Sequence, residues 1–401
     1  MPLKQFRFMA FCLLAAGLAI SAHFLFAKNP PQSTSLIVHE WGTFTSVAGN
    51  NGQPVEWLPL RGSRDLPGFV EHYSDAALKG GLSGTVRLET PVLYFHAAEK
   101  MKLSVKVGFA KGIITEWYPQ ASQLEPAGYL NNARLQLESD NGSIAWNSVS
   151  VEPNATADFR REEGPSRYYA ARETSASPIR VKTNKGDQQE RFLFYRGVSV
   201  FPVPISARLT HDGKVQVANL AKSPISNVIL FERRGEKMGY RVGGAIATEA
   251  TLEAPPLTAT MASLDRDLES MLVGEGLYQD EARAMIATWR DSWFEEGSRM
   301  IYFVPKEFVN TILPLSIQPA PKQTVRVFVG RLEVITPATE REVEHAFVSD
   351  DQKMLDRYGR FLLPILRTML EKTSDPARTK QLNQYLKSAF VTQSARAQHG
   401  N

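Results

Sequence analysis

The sequence predicts an α+β fold in which an antiparallel β-sandwich N-terminal half is followed by a mixed, mainly helical C-terminal half. The first observation is a strict alternation of apolar and polar residues in early segments, and the second is a series of short apolar runs separated by Gly, Pro and Asn. The third is a change to helical spacing near residue 255. With 43% hydrophobic and 22% charged residues over 401 positions, the chain has a globular composition and the length of about two domains.

Residues 1–27 have the pattern of a bacterial export signal. Lys4 and Arg7 precede an uncharged run that begins at Phe8 and ends at Ala27, which matches the basic start and apolar body of such segments. A helix of about 20 residues is also just long enough to span a bilayer. The sequence therefore predicts either a cleaved signal peptide or an uncleaved transmembrane helix, with the rest of the chain on the periplasmic side of the inner membrane.

The composition excludes several kinds of site and partner. The single cysteine, Cys12, lies in the apolar run, so the exported part has no thiol for a disulfide, a thiolate metal site or a nucleophile. The chain has 46 basic and 42 acidic residues, and two of the basic ones, Lys4 and Arg7, belong to the export segment. This small excess forms no basic stripe, so the sequence predicts no nucleic-acid partner.

Residues 36–254 are predicted to form the β-sandwich-like domain, after a polar linker over 28–35. Apolar and polar residues alternate in MKLSVKVGF, residues 101–109, which predicts a strand with one buried face. In LTHDGKVQV, residues 209–217, an Asp-Gly pair between two strand-like runs predicts a tight hairpin. Many short strands separated by turn residues favour an antiparallel sandwich.

Residues 255–392 are predicted to form an α-rich domain with two or three strands. Over 263–295 the apolar residues recur every three to four positions, as in a helix with one buried stripe. The members of that stripe are Tyr278, Ala282, Met285, Trp289 and Trp293. RMIYFVP and QTVRVFVGRLEVIT predict strands, and further helices follow. Residues 393–401 are expected to form a disordered tail.

The stretch HEWGTFTS, residues 39–46, sets a histidine, a glutamate and a tryptophan side by side. In a strand, alternation places His39 and Trp41 on one face and Glu40 on the other. Apolar residues occur on both faces, so the strand takes a titratable group into a partly dry environment where it needs a partner or a shifted pKa. This pattern is typical of a functional site, and equally of a histidine or glutamate that is hydrogen-bonded inside the sandwich.

A second strand candidate, GIITEWYP, repeats the Glu-Trp pair. Two carboxylates beside aromatic side chains are the arrangement that glycan hydrolases use for acid and base catalysis. Glu40 and Glu116 are therefore candidate catalytic residues, with chance recurrence as the alternative. The candidate binding residues are the aromatic side chains next to them, Trp41, Trp117 and Tyr118.

Metal ligation is the other candidate chemistry. His39, His72 and His96 precede or begin the predicted sheet and could converge on a divalent metal such as zinc, whose catalytic sites use two or three imidazoles. No HExxH motif occurs in the chain. Histidines scattered over the surface or the core are the alternative.

The chain resembles a family of exported or membrane-anchored bacterial proteins of uncharacterised function. The stretches that carry the resemblance are HEWGTFTSV, ETPVLYF, GIITEWYPQA, FLFYRG, GLYQDEARAMIATWRDSWFEEG and RVFVGRLEVITP. They span most of the chain after the export segment. The resemblance implies a recurring architecture and an envelope location, and it carries over no substrate, cofactor or catalytic residue.

Together these features predict an exported cell-envelope protein, periplasmic or anchored facing the periplasm. Its β-rich half is expected to be a binding or scaffolding module, and its helical half is expected to dock a partner, either a protein or a glycan of the envelope. The membrane is a further partner where the N-terminal segment is retained. The alternative function is a hydrolase of envelope polymers or glycans, which convergence of His39, Glu40 and Glu116 at one cavity would favour.

Overall fold

The structure is a computed structural model and describes residues 35–58, 60, 66–73, 82–125, 141–164 and 166–399. The predicted export segment lies outside these residues, as does the predicted linker up to residue 34. In the part of the chain that is described, no helix combines the length and the apolar character needed to cross a membrane.

A nine-stranded sheet forms the centre of the α+β fold. Its strands, in order across the sheet, are β14 (Lys237–Ile246), β13 (Ile225–Arg234), β16 (Gly297–Phe303), β18 (Gln323–Val334), β1 (Ile37–Val47), β3 (Val86–His96), β10 (Leu193–Ser199), β5 (Gly112–Tyr118) and β2 (Glu71–His72). β1 and β18 run parallel, whereas the other neighbouring strands pair antiparallel. The central sheet is therefore mixed, in contrast to the antiparallel pairing that the sequence predicts.

Strands from both sides of the predicted domain boundary at residue 255 belong to this sheet. β16 and β18 follow the boundary in sequence, yet they lie between β13 and β1, which precede it. β18 is buried along most of its length, so it needs neighbours on both edges and cover on both faces. A central position in the sheet meets that requirement, and the boundary does not separate two sheets.

Two smaller sheets cover one face of the nine-stranded sheet. The larger contains β17 (Leu315–Gln318), β4 (Met101–Phe109), β7 (Gly142–Val151), β8 (Ile179–Thr183) and β9 (Gly186–Glu190), with β6 (Gln123–Glu125) paired to β7. The smaller contains β11 (Ile205–Leu209), β12 (Val215–Asn219) and β15 (Glu249–Leu252). Apolar side chains of all three sheets form one core. The alternation in β4 and the hairpin that joins β11 to β12 are confirmed.

Helices cover the other face of the central sheet and one of its ends. They are α1 (Met261–Gly274), α2 (Gln279–Trp293), α3 (Lys306–Ile312), α4 (Pro337–Val348), α5 (Gln352–Tyr358), α6 (Leu362–Lys372), α7 (Pro376–His399) and two short 3₁₀ helices (Arg167–Arg172 and Gly359–Phe361). α1 and α2 pack on the sheet, and α4 to α7 form a separate core with Val47 and Trp57. Because α7 continues to His399, residues 393–399 are helical and not part of a disordered tail.

β1 is covered on both faces, and this decides where its titratable residues lie. Val38 and Phe44 belong to the core between the sheets, and Trp41 belongs to the core beneath the helices, as alternation predicts. His39 is 1% exposed and Glu40 is 0% exposed. Both titratable side chains are therefore buried, on opposite faces of the same strand.

Candidate metal centre

Three side chains with metal-binding atoms meet on the helical face of the central sheet. They belong to His39 in β1, His96 at the end of β3 and Glu281 in α2. Nδ1 of His39 lies 2.6 Å from one carboxylate oxygen of Glu281, and Nε2 of His96 lies 2.9 Å from the other. One such atom from each residue lies within 4.8 Å of the other two, so a single ion could contact all three.

Strand register and a helix cap hold these side chains in place. His39 lies opposite Tyr94 in the β1–β3 pair, so His96, two residues further along β3, is its diagonal neighbour on the same face. Glu281 is the third residue of α2, where its carboxylate also accepts a 3.0 Å hydrogen bond from the backbone N–H of Tyr278. This is half of a capping box, and it fixes the carboxylate over the strand pair.

Tyr278 lies on the solvent side of the three side chains. Its ring centroid is 4.5 Å from that of His39 and 4.8 Å from that of His96. Tyr278 is 39% exposed, although the sequence groups it with the buried stripe of its helix. The side chain of His96 is 15% exposed, whereas those of His39 and Glu281 are 1% and 0% exposed. The cluster is therefore buried at one end and reaches solvent beside His96 and Tyr278.

The electrostatic setting keeps the Glu281 carboxylate ionised. Burial of this group acts to raise its pKa, but hydrogen bonds from His39, His96 and the Tyr278 N–H outweigh burial and bring the pKa below its ordinary value. One negative oxygen donor and two imidazole nitrogens form the same ligand set as two histidines and a glutamate in catalytic zinc sites. Zinc bonds of about 2.0–2.1 Å place tetrahedral ligand atoms about 3.3 Å apart. The two contacts to Glu281, at 2.6 Å and 2.9 Å, need to open by less than about 1 Å, and the widest pair of ligand atoms, which lies within 4.8 Å, needs to close by about 1.5 Å.

The third predicted metal ligand, His72, lies elsewhere. It belongs to β2 at the edge of the central sheet, and β3, β10 and β5 separate it from β1. Nδ1 of His72 lies 2.7 Å from the backbone oxygen of Tyr73. The structure thus brings together two of the three predicted ligands, His39 and His96. The third member of the cluster is Glu281, and the prediction for His72 is wrong. The local sequence around Glu281 shows a helix start, but it does not reveal contact with a strand residue 242 positions earlier.

Glu40 belongs to a buried ion pair on the opposite face of β1. Its two carboxylate oxygens accept a 2.6 Å hydrogen bond from the Tyr195 hydroxyl and a 2.5 Å hydrogen bond from Nε of Arg326. Because Arg326 lies directly opposite Glu40 in the parallel β1–β18 pair, strand register builds this contact. With both oxygens bonded to protein groups and no solvent exposure, Glu40 has no access to a substrate.

Glu116 does not lie near Glu40. β3 and β10 separate the strands of the two residues, which at about 4.8 Å per strand spacing places them roughly 14 Å apart. Glu116 lies 3.7 Å from Arg87 and accepts a hydrogen bond from the Thr115 hydroxyl. Catalytic carboxylates of glycoside hydrolases lie about 5–9.5 Å apart. The structure therefore does not form the predicted acid–base pair.

The three predicted aromatic binding residues occupy different places. Trp41 is 0% exposed and packs beneath the helices, and Tyr118 is 2% exposed in the same core. Trp117 is half-buried and packs against Tyr73, with 5.7 Å between ring centroids. Trp41 and Tyr118 are therefore core residues, and their rings present no open surface for stacking.

No protein-family model and no curated protein matches the chain. Among solved structures, it is similar to a yeast delta-COP-I mu-homology domain complexed with a Dsl1 WxWxV peptide, with 10% identity, a TM-score of 0.26, and coverage of 76% of this chain and 98% of that chain. It is also similar to the yeast delta-COP-I mu-homology domain alone, with 9% identity, a TM-score of 0.25 and the same coverage of both chains. TM-scores this low carry no argument about function.

Proposed function

We propose that this protein is an exported cell-envelope protein that binds a divalent metal ion, with zinc as the preferred ion, through His39, His96 and Glu281. The observation that carries the proposal is the convergence of these three side chains within 4.8 Å. Export and an envelope location rest on the sequence, namely the basic and apolar pattern of residues 1–27 and the resemblance of the rest of the chain.

The chemistry of the donor atoms selects the class of ion. Two imidazole nitrogens suit zinc, copper, iron or nickel better than magnesium or calcium, which prefer oxygen donors. Three protein ligands leave one tetrahedral position for water or an external group. In this protein solvent reaches the cluster beside His96 and Tyr278.

A bound ion would hold helix α2 on the central sheet. Glu281 is 242 positions from His39 and 185 positions from His96, so one ion joins distant parts of the chain. An ion present at 100 times its dissociation constant stabilises a folded protein by about 2.7 kcal/mol.

A binding or scaffolding role for the sheets, with docking of an envelope protein or glycan, is part of this proposal. Separation of Glu40 from Glu116 supports binding over carboxylate-pair hydrolysis.

Metal analysis of the full chain tests the proposal. After removal of metal with a chelator and reconstitution with zinc, wild-type protein is expected to hold about one ion per chain and to gain thermal stability. His39→Ala and Glu281→Gln each remove a ligand, so each is expected to weaken zinc binding by more than about 100-fold, because even outer-shell changes cost about 10–100-fold. Elemental analysis and the zinc-dependent shift of the unfolding temperature provide the two readouts.

His72→Ala is the matched control for these variants. His72 is an exposed histidine of the same sheet that lies outside the cluster, so its removal is expected to leave zinc binding unchanged. Wild-type protein that takes up no zinc, with an unfolding temperature that zinc does not alter, would contradict the proposal. The cluster would then be a histidine–carboxylate hydrogen-bond network that joins α2 to the sheet.

A further inference from the structure

Solvent reaches the metal centre from one side in the part of the chain that the structure describes. His39 and Glu281 are buried, and β1 is covered by sheets on one face and by helices on the other. The side chain of His96 is 15% exposed, so it marks the open side of the cluster. An ion that enters or leaves the cluster therefore passes beside His96.

The aromatic ring of Tyr278 lies across this path. It contacts two imidazole rings at once, with 4.5 Å between its centroid and that of His39 and 4.8 Å to that of His96. Aromatic rings in direct contact have centroids about 4.5–7 Å apart, so these short separations leave no room for a hydrated ion between the rings. The outer side of Tyr278 is in water, since the residue is 39% exposed. The ring therefore separates the cluster from solvent.

The backbone that carries this ring is fixed. The N–H of Tyr278 donates a 3.0 Å hydrogen bond to the Glu281 carboxylate, and its carbonyl accepts a 2.9 Å hydrogen bond from the N–H of Ala282. The Asp280 carboxylate accepts a 2.6 Å hydrogen bond from the backbone N–H of Ser175, which holds the start of α2 against a distant loop. Movement of the helix would break these bonds, whereas rotation of the exposed Tyr278 side chain breaks only its ring contacts. Such rotations take place in picoseconds to nanoseconds.

We propose that the Tyr278 ring is a gate that sets how fast the metal centre exchanges its ion. In the closed position the ring covers both imidazoles, and rotation of the side chain toward solvent opens the path beside His96. The inference rests on the proposed function, since it concerns exchange of the ion that the cluster binds.

A gate of this kind changes the rates of exchange and leaves the affinity nearly unchanged. The ligand atoms belong to His39, His96 and Glu281, whereas the ring of Tyr278 packs on the outside of the two imidazoles. Entry and release of the ion pass through the same open state. Removal of the ring therefore accelerates both by the same factor.

Exchange kinetics of the full chain test the gate. Metal-depleted protein is reconstituted with zinc, and release is followed by stopped-flow absorbance after mixing with an excess of a colorimetric chelator. Tyr278→Ala is expected to release zinc roughly tenfold faster than wild type and to take it up faster by the same factor, as the loss of two aromatic contacts predicts. The equilibrium dissociation constant, measured by competition between protein and chelator, is expected to stay nearly unchanged.

Tyr278→Phe is the matched control, because it keeps the ring and removes only the hydroxyl. It is expected to exchange zinc at the wild-type rate and to bind it with wild-type affinity. A zinc-dependent rise of the unfolding temperature equal to that of wild type shows that Tyr278→Ala is folded and loaded with metal.

The gate is overturned if Tyr278→Ala exchanges zinc at the wild-type rate, or if only its release becomes faster. It is also overturned if both variants lose affinity together, because the hydroxyl would then be a ligand. Wild-type protein that takes up no zinc at equilibrium is a different result, which contradicts the metal centre itself and the gate with it.

Discussion

Arg326→Ala is expected to lower the free energy of unfolding by about 3–5 kcal/mol, because it leaves a buried carboxylate without its cation. The side chains of Arg326 and Glu40 are 2% and 0% exposed, and the hydrogen bond between them is 2.5 Å long. Arg326 also donates to Asn310 and to the Leu313 carbonyl, so the substitution leaves those acceptors with fewer partners. Chemical denaturation of wild type and variant measures the difference.

The double variant Glu40→Gln with Arg326→Met is expected to recover much of that loss. Replacement of both members of a buried ion pair by neutral groups is often close to neutral, because the desolvation cost of both charges disappears. A double-mutant cycle therefore separates the cost of an unpaired charge from the value of the pair. Arg208→Ala, in an exposed position, serves as the control and is expected to change stability by less than about 0.5 kcal/mol. A loss below about 1 kcal/mol for Arg326→Ala would contradict the expectation.

Glu89→Gln is expected to destabilise the protein by about 3 kcal/mol at pH 7, and by much less near pH 2. Burial of Glu89 acts to raise the pKa of its carboxyl, but Arg360, Arg87 and Arg196 outweigh burial and lower the pKa from 4.5 to about 2. A depressed pKa means that the folded state favours the ionised carboxylate. The resulting stabilisation is complete above about pH 4.5 and is lost as the pH falls toward 2, at about 1.36 kcal/mol per pKa unit.

Urea denaturation of Glu89→Gln and wild type at pH 7, 5 and 3 measures this dependence. The difference between the two proteins is expected to shrink between pH 5 and 3, because the carboxyl of the unfolded wild type binds a proton below about pH 4.5 while the folded state, with a pKa of about 2, keeps it ionised. Glu249→Gln, a change at an exposed glutamate of β15, is the control and is expected to show little difference at any of these pH values. A constant difference between pH 7 and 3 for Glu89→Gln would argue against the arginine-stabilised carboxylate.

Local features of the fold could be predicted because their signals are local. The alternation of β4, the Asp-Gly turn after β11 and the buried stripe of α2 each depend on residues within one element. The same holds for β1, whose two apolar faces predicted that His39 or Glu40 is buried. In the structure both are buried, since sheets cover one face and helices cover the other.

The partners of those buried residues could not be predicted, because they come from distant parts of the chain. Glu281 reaches His39 across 242 positions, and Arg326 reaches Glu40 across 286 positions. Neither contact leaves a local pattern, since each depends on which strand or helix packs beside β1. His72 shows the converse, because it is much closer to His39 in sequence than Glu281 is, yet it lies at the β2 edge of the sheet with three strands between β2 and β1.

The parallel pairing of β1 with β18 also sets how much of the chain must be present before the central sheet can close. β1 belongs to the first residues of the described chain, but its partner on one side ends only at Val334. Until that segment has emerged, β1 can pair with β3 on one side but leaves the backbone N–H and C=O groups of its other edge unpaired, and such an edge is a template for aggregation. The central sheet therefore closes only after the chain up to Val334 is present, which joins an early strand to a late one.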